Sequence, residues 1–186
     1  MARLIYFSIA SLDGYIADED GKFDWAEPDE EVHRFVNDHE RTIRTHLYGR
    51  RLYETMAVWQ DDDWLDGEPD VVHDYAAIWR NADKVVFSTT LTEVTTPRTR
   101  LERSFDADAV AALVAESPGD VSIGGATLAG HAVAAGLVDE YHVMLNPIVV
   151  GGGMPWLPRG AHVDLQLVDE RRFAGGVVHL RYLTRR

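Results

Sequence analysis

The chain has 186 residues, and its 18 basic and 31 acidic side chains give a formal net charge of −13. Such a charge repels phosphate backbones, which argues against nucleic acid as a main partner. The absence of cysteine excludes disulfides and thiolate metal sites. No apolar run approaches the ~18 residues of a membrane span, and the apolar N-terminal stretch is too short for a signal peptide. We therefore expect a cytoplasmic protein with no membrane partner, folded as a single domain over residues 1–186.

Strands and helices alternate in the first half of the chain. Residues 3–9 form an apolar run that is typical of a buried strand, and residues 45–48 form a second, shorter one. A helix is predicted over residues 28–39, with Pro28 at its first position, because its apolar side chains recur with helical spacing. A second helix is predicted over residues 50–58.

The second half of the chain continues the same alternation. The pattern predicts, in chain order, a strand over residues 84–87, a helix to Glu116 capped by Asp106, a strand over residues 121–123, a helix that ends at Ala135, a strand over residues 140–146, and a final strand pair over residues 163–168 and 176–183. This alternation favours an α/β layer architecture with seven to eight strands.

Three of the predicted strands are followed at once by polar residues or glycines. In open parallel sheets, such strand ends are where ligands bind. At the first, Gly49 allows a ligand to approach the backbone closely, and Arg50 and Arg51 place two positive charges at the start of a helix. Two cations there are unfavourable unless an anion compensates them. The alternative is a solvated arginine pair that bridges to Glu54.

The other two strand ends carry hydroxyl groups and glycines. Ser88, Thr89 and Thr90 can donate several hydrogen bonds to a phosphate, although such a cluster is also typical of a turn or cap. Gly124 and Gly125 stand between a strand and a helix and let a pyrophosphate approach the backbone, with a simple tight turn as the alternative.

The sequence lacks both common nucleotide-binding motifs. The gap from Gly125 to Gly130 is that of a phosphate loop, but His131 and Ala132 follow where lysine and serine or threonine would stand. A G-x-G-x-x-G pattern is also absent. A glycine turn that suits a pyrophosphate and an arginine pair that suits a monophosphate ester together match a 2′-phosphorylated dinucleotide.

Four segments, in their order and spacing, resemble the dihydrofolate reductase-like superfamily, and most closely its riboflavin-biosynthesis reductase branch. They are SLDGYIA at residues 11–17, YGRRLYET at 48–55, SIGGA at 122–126 and NPIVVGGG at 146–153. The resemblance implies a three-layer α/β/α domain with a mostly parallel eight-stranded sheet and an antiparallel C-terminal strand. It also implies NADPH as the hydride donor and a homodimer.

The resemblance further implies which residues hold the cofactor. The segment from Gly49 would hold the adenosine-phosphate side, the hydroxyl cluster would flank the 2′-phosphate and adenine, the glycine turn would carry the pyrophosphate, and Ala10 and Ile16 would frame the nicotinamide. In chain order the predicted cofactor residues are Ala10, Ile16, Gly49, Arg50, Arg51, Leu52, Ser88, Thr89, Thr90, Ile123, Gly124, Gly125, Ala126, Thr127 and Leu128.

On the substrate side, Asp13 is the predicted catalytic residue, as a polar contact to the substrate or to the nicotinamide amide. Its Asp-Gly pair alternatively forms a type I′-like turn. Four aromatic residues are predicted to contact the substrate: Tyr15, Trp25, Phe35 and Trp59. Alternatively, the two tryptophans are residues of the hydrophobic core.

The carboxylate that folate reductases carry on the helix before the Gly-Arg strand has no clear counterpart, because the matching position falls near His33. The expected function is NADPH-dependent reduction of a small heterocyclic or carbonyl/imine compound. Candidates are 5-amino-6-(5-phosphoribosylamino)uracil-type reduction in riboflavin biosynthesis and reduction of a pterin- or folate-like compound. The alternative is an NADPH-binding sensor or accessory module without turnover. His33 and His39 are six residues apart and the other histidines are scattered, so no metal site is expected.

Overall fold

An eight-stranded sheet forms the centre of the computed structural model, which describes residues 2–186. The strands are, in chain order, β1 (Leu4–Ser11), β2 (Tyr15–Ala17), β3 (Ile43–Gly49), β4 (Asp83–Phe87), β5 (Thr99–Glu102), β6 (Asp120–Gly124), β7 (Glu140–Asn146), β8 (Met154–Pro155), β9 (Leu165–Arg172) and β10 (Val178–Thr184). The large sheet has the order β5-β4-β3-β6-β1-β7-β10-β9, and β2 pairs with β8 in a separate small sheet.

The pairing directions confirm the expected topology. Strands β5, β4, β3, β6, β1 and β7 are parallel to one another, whereas β10 runs antiparallel to both β7 and β9. The sheet is therefore mostly parallel, with an antiparallel C-terminal strand, as predicted.

Helices cover both faces of the sheet. They are α1 (Glu30–Glu40), α2 (Arg50–Met56), α3 (Asp70–Asn81), α4 (Ala107–Glu116) and α5 (Ala126–Ala134), with 3₁₀ turns over Asp24–Ala26 and Ala57–Gln60. Because side chains alternate along a strand, β1 sends Leu4 and Tyr6 into the core beneath α4 and α5, while Phe7 packs on the opposite face beside Val36 of α1. The result is the predicted three-layer arrangement. None of the helices within residues 2–186 has the length and apolar character that a membrane crossing requires.

The first helix begins two residues later than predicted. Pro28 is outside it, and Asp29 is the cap, since its carboxylate accepts a 2.9 Å hydrogen bond from the Val32 N–H. The predicted cap at Asp106 is confirmed by the same geometry, with Ala109 as the donor at 2.9 Å. The helix predicted over residues 50–58 is wrong at its end, because α2 stops at Met56 and the chain tightens into a 3₁₀ turn.

Helix α3, strand β5 and the short strands β2 and β8 were not predicted from the sequence. Helix α3 buries Ala76 and Trp79 and half-buries further apolar side chains on the same face. Strand β5 is a four-residue edge strand that alternates poorly and is held by β4 alone. Helix α3 depends on packing against α1, and β5 depends on its pairing with β4.

Candidate functional site

The three predicted strand ends lie at one edge of the sheet. Strand β3 is the neighbour of both β4 and β6, so Gly49 is paired with Phe87 while the preceding Tyr48 is paired with Gly124. The carboxyl ends of these parallel strands therefore bring the arginine pair, the hydroxyl cluster and the glycine doublet side by side. Open α/β sheets bind ligands in this position.

Arg50 connects two of these strand ends directly. Its Nη1 donates a 3.0 Å hydrogen bond to the Thr90 hydroxyl, and its Nε donates a 2.7 Å hydrogen bond to Glu54 one helical turn later. The predicted bridge to Glu54 is thus present together with the contact to the hydroxyl cluster. The Arg50 side chain is about half exposed, and Arg51 is exposed. Both charges are accessible to an anion at this edge.

The hydroxyl cluster divides into a structural and an accessible part. Ser88 is buried, and its hydroxyl accepts hydrogen bonds from the N–H groups of Thr90 and Leu91 at 3.2 and 2.9 Å. The turn-stabilising role that the sequence allowed is therefore the one that Ser88 performs in the structure. Thr89 and Thr90 are exposed beside Arg50.

The glycine doublet forms a close backbone junction between β6 and α5. Gly125 caps α5 with a φ of 86°, a conformation that side chains other than glycine rarely adopt. A Cβ on Gly124 would lie 2.5 Å from Cδ2 of Leu52 and 3.6 Å from the Tyr48 ring, so these two side chains cover the backbone here. The first N–H groups of α5, on Ala126 and Thr127, have no helical acceptor and carry the positive end of the helix dipole.

The remaining residues that the sequence predicts to hold the cofactor lie around this junction or at the end of β1. Ile123 is fully buried in β6, and Leu128 packs in the core on α5. A Cβ on Gly49 would meet the Cβ of Leu128 at 3.8 Å, so the starts of α2 and α5 approach each other. At the far side, Ala10 is fully buried near the end of β1, and Ile16 is half-buried in β2.

Asp13 lies two residues after the end of β1, and its carboxylate already accepts hydrogen bonds from the protein. Its two oxygens accept hydrogen bonds from the N–H groups of Val150 and Gly151, at 3.2 and 2.8 Å. A hydrogen bond from Ser11, and then these two backbone groups, lower the pKa of Asp13. The predicted type I′-like turn is wrong, because Gly14 has a positive φ but Asp13 does not. The contacts to residues 150 and 151 were missed, because no local pattern links Asp13 to a glycine run over a hundred residues away.

The four aromatic side chains predicted for the substrate side have different surroundings. Trp59 packs on Tyr75 at 4.5 Å and on His33 at 6.3 Å between ring centroids. Phe35, on the same helix as His33, packs on Phe173 and His179 towards β10. Phe35 and Trp59 therefore have different aromatic neighbours and do not form one substrate-binding cluster.

Tyr15 and Trp25 lie closer to the end of β1. Tyr15 is in β2, and its N–H donates a 3.0 Å hydrogen bond to Ser11. Trp25 lies in a 3₁₀ turn that contacts β1, and its indole N–H is buried without a partner among residues 2–186. His33, at the position of the missing carboxylate, has its pKa lowered by burial. The polar group at this position of α1 is therefore the imidazole of His33.

A separate cavity lies away from these strand ends. It has a volume of about 930 Å³ and lies between α4 and strands β4 and β5. Its charged rim is internally paired, since Asp83 binds Arg98 at 2.7 Å and Arg44 at 3.8 Å. We therefore place the candidate site at the converging strand ends and not in this cavity.

Residues 2–179 match the RibD C-terminal domain family, and the chain belongs to this family. The uncharacterized protein YyaP of Bacillus subtilis is 29% identical over 184 residues, which cover 97% of this chain and 94% of YyaP.

Two solved structures share the fold. One, from Shewanella sp. PV-4 and named for riboflavin biosynthesis, superimposes with a TM-score of 0.77 at 23% identity, covering 99% of both chains. The dihydrofolate reductase of Enterococcus faecalis, solved with NADP(H), superimposes with a TM-score of 0.64 at 14% identity, covering 99% of this chain and 97% of that one.

Proposed function

We propose that this protein is an NADPH-dependent reductase of a small heterocyclic or carbonyl/imine compound. The observation that carries the proposal is the convergence of Arg50, Thr90 and the Gly124–Gly125 junction at adjacent strand ends. Membership of the RibD C-terminal domain family supports a reductase, and the likeness to a dihydrofolate reductase that binds NADP(H) supports the cofactor.

The residues at this edge fit such a cofactor in their chemistry. The half-buried Gly125 and the free N–H groups at the start of α5 suit a pyrophosphate. Arg50 and Arg51, exposed beside the Thr90 hydroxyl, suit the doubly charged 2′-phosphate, because guanidinium groups bind phosphate through charge-assisted hydrogen bonds. Bound NADPH would supply the hydride.

On the substrate side, the chain mainly orients the reactants and excludes water. Asp13 is held as an anion, so it suits a polar contact better than proton donation. The ring of His33 is neutral at pH 7, because burial lowers its pKa. A water molecule can therefore deliver the proton. Family membership favours a pyrimidine of riboflavin synthesis as the substrate class, and a pterin-like compound is the runner-up.

Calorimetric titration with NADPH and NADH tests the cofactor assignment. We expect NADPH to bind at least ten-fold more tightly, because only NADPH carries the 2′-phosphate. Equal affinity for both, or binding of neither, would contradict the proposal.

A sensor or accessory role without turnover is the second candidate, because α1 presents no carboxylate in place of His33. Oxidation of NADPH at 340 nm, measured with pyrimidine, pterin and carbonyl compounds, distinguishes the two. Turnover of any compound excludes the sensor role, whereas tight binding with no oxidation across the panel favours it.

A further inference from the structure

The negative charge of the chain is concentrated in two segments. Residues 18–40 and 57–74 hold 17 of the 31 acidic side chains and 2 of the 18 basic ones, which gives them a net charge of −15. All other residues hold 14 acidic and 16 basic side chains, a net charge of +2. We call residues 18–40 and 57–74 the acidic segments. They account for the whole negative charge of the protein.

The acidic segments are neighbours in the structure. Helix α1 of the first packs against α3, which begins in the second. Here the Asn37 side-chain amide donates hydrogen bonds to the Val71 carbonyl and the Asp74 carboxylate, at 2.8 and 2.7 Å. At the other end of the second segment, Trp59 packs on His33 of the first, with 6.3 Å between ring centroids. The two segments therefore form one continuous acidic surface.

This acidic surface includes most of the proposed substrate side. Trp25, Phe35 and Trp59, three of the four aromatic residues predicted to contact the substrate, belong to the acidic segments. Arg50 and Arg51 do not, and they lie at the strand ends proposed for NADPH. A positively charged cofactor edge and a negatively charged substrate side are therefore separate parts of the molecule.

Four arginines in or beside the acidic segments are each paired with a carboxylate there. Within α1, Arg34 binds Glu30. The other three pairs are Arg41–Asp74 at 2.6 Å, Arg80–Asp62 at 2.8 Å and Arg171–Glu31 at 3.2 Å. A phosphate or carboxylate on a substrate would have to compete with these carboxylates of the protein for a cation.

We propose that the substrate of this reductase is uncharged or positively charged and carries neither a phosphate nor a carboxylate group. This inference rests on the proposed function, because it concerns the compound that NADPH reduces. A surface of one sign repels ligands of the same sign and attracts those of the opposite sign. An amino-substituted heterocycle or a protonated imine fits this surface, whereas a phosphate ester does not. The pyrimidine class is thereby narrowed to compounds without the phosphate.

The field of the acidic surface is measured without any ligand. Small nitroxide co-solutes that are cationic, neutral or anionic (aminomethyl-, carbamoyl- and carboxy-PROXYL) enhance the relaxation of nearby amide protons. We expect the ratio of the cationic to the anionic effect to be about three-fold higher at residues 57–74 than at residues 107–116 of α4. The difference should shrink with added salt, because the screening length falls from about 30 Å at 0.01 M to about 8 Å at 0.15 M. Equal ratios at the two places would overturn the inference.

The substrate class is tested with compounds of similar shape and different charge. At saturating NADPH, kcat/KM is measured for 5-amino-6-(5-phosphoribosylamino)uracil and its dephosphorylated form. The same is done for 4-formyl-1-methylpyridinium, pyridine-4-carbaldehyde and 4-formylbenzoate. We expect the phosphate ester and the carboxylate to be about ten-fold poorer than their neutral counterparts. A phosphate ester that is reduced as well as its dephosphorylated form would overturn the inference.

A charge variant links the preference to the acidic surface. Asp61 and Asp63 are exposed, and Asp62 between them is kept because it binds Arg80. Asp61→Asn/Asp63→Asn should narrow the gap between neutral and anionic compounds about three-fold. A change in general stability would affect both compounds equally, so the ratio of their kcat/KM values reports the charge.

Asp108→Asn/Glu116→Gln is the matched control. It removes the same number of charges from exposed positions of α4, on the opposite face of the sheet from α1. We expect it to leave the gap between neutral and anionic compounds unchanged. If both double variants narrow the gap equally, the preference comes from net charge and not from the acidic surface, and the inference is wrong.

The outcomes separate this inference from the proposed function. If anionic and neutral compounds are reduced equally well, the substrate inference is refuted while the NADPH-dependent reductase stands. If NADPH binds and none of the five compounds is reduced, the sensor role is favoured and the substrate inference fails with the reductase. The co-solute measurement then still reports the field of the acidic surface.

Discussion

The Arg50 guanidinium donates a 3.0 Å hydrogen bond to the hydroxyl of Thr90, forty residues further along the chain. The bond joins the residue after β3 to the loop after β4, and it leaves the rest of the guanidinium facing solvent beside a second arginine. It is the contact in the structure that most directly places a positive charge beside the hydroxyl cluster.

Arg50→Gln should weaken NADPH binding by ten-fold or more and leave NADH binding unchanged. A hydrogen bond to a charged group contributes about 1.5–3 kcal/mol, and only NADPH carries the charged partner. Isothermal calorimetry with both cofactors measures the effect. The control is Arg34→Gln, whose arginine is also exposed on a helix and bound to a glutamate four residues away. Equal losses for NADPH and NADH would contradict a 2′-phosphate contact.

Gly124→Ala should weaken NADPH binding with little effect on the fold. The new Cβ would lie 2.5 Å from the flexible end of the Leu52 side chain, which must rotate over the backbone that the pyrophosphate approaches. A matched variant is Gly130→Ala in α5, whose Cβ would meet Pro158 at an ordinary 3.5 Å. We expect that variant to keep its NADPH affinity and to gain roughly 0.5–1 kcal/mol from helix propensity. NADPH titration and urea unfolding of both variants provide the comparison.

Lys84→Met should lower the free energy of unfolding by about 1–3 kcal/mol, because two buried carbonyls lose their donor. Lys84 is 1% exposed, and its Nζ donates to the carbonyls of Trp79 and Ala82, at 3.0 and 2.9 Å, where α3 ends. Burial lowers its pKa to about 8. Urea unfolding measures the loss, with the exposed Lys22→Met as the control. If the variant is as stable as the original, the prediction is wrong. The free energy gained by removing the buried charge would then equal the free energy lost with the two hydrogen bonds.

Stability should fall as the pH decreases from about 6.5 to 4.5. Burial lowers the pKa of His39 and His46 to about 3 and that of His179 to about 4. In this window the unfolded chain binds three protons at these sites that the folded chain does not. Burial also raises the pKa of Glu40 to about 7, so the folded chain binds one extra proton there.

The net difference is 3 − 1 = 2 protons from these four groups. At about 1.4 kcal/mol per proton and pH unit, the greatest slope is roughly 3 kcal/mol per pH unit. Urea unfolding at pH 5, 6 and 7 measures it, and His179→Gln should reduce the slope by about one proton. A free energy of unfolding that stays constant over this range would refute the neutral, buried state of these histidines.

A further loss should appear below pH 4.5. Burial alone would raise the pKa of Glu140, but hydrogen bonds from His142 and Arg181, with Arg3 nearby, lower it to about 2. The stabilisation from this carboxylate is therefore complete above pH 4.5 and is lost as the pH falls towards 2. Glu140→Gln should remove that part of the acid dependence, as urea unfolding between pH 2 and 5 would show.

Much of the architecture was predictable from the sequence because its signals are local. The apolar run before Gly49, the cap at Asp106 and the glycine turn after Ile123 each act within a few residues. They mark where strands stop and helices start, and the parallel order then brings the strand ends together. The short edge strand β5 lacks such local signals and was missed. Helix α3 was also missed, although its apolar residues recur with helical spacing.

The sequence by itself determined which residues stand at the strand ends and that their chemistry suits a phosphorylated ligand. Only the tertiary structure decided which partner each of them has. Asp13 is bound to amides 137 and 138 residues away, Ser88 stabilises its own turn, and Phe35 packs towards β10. The reason is physical, since periodicity and capping depend on neighbours within one or two turns. Hydrogen bonds between loops are instead set by strand order and register, which depend on pairing between distant segments.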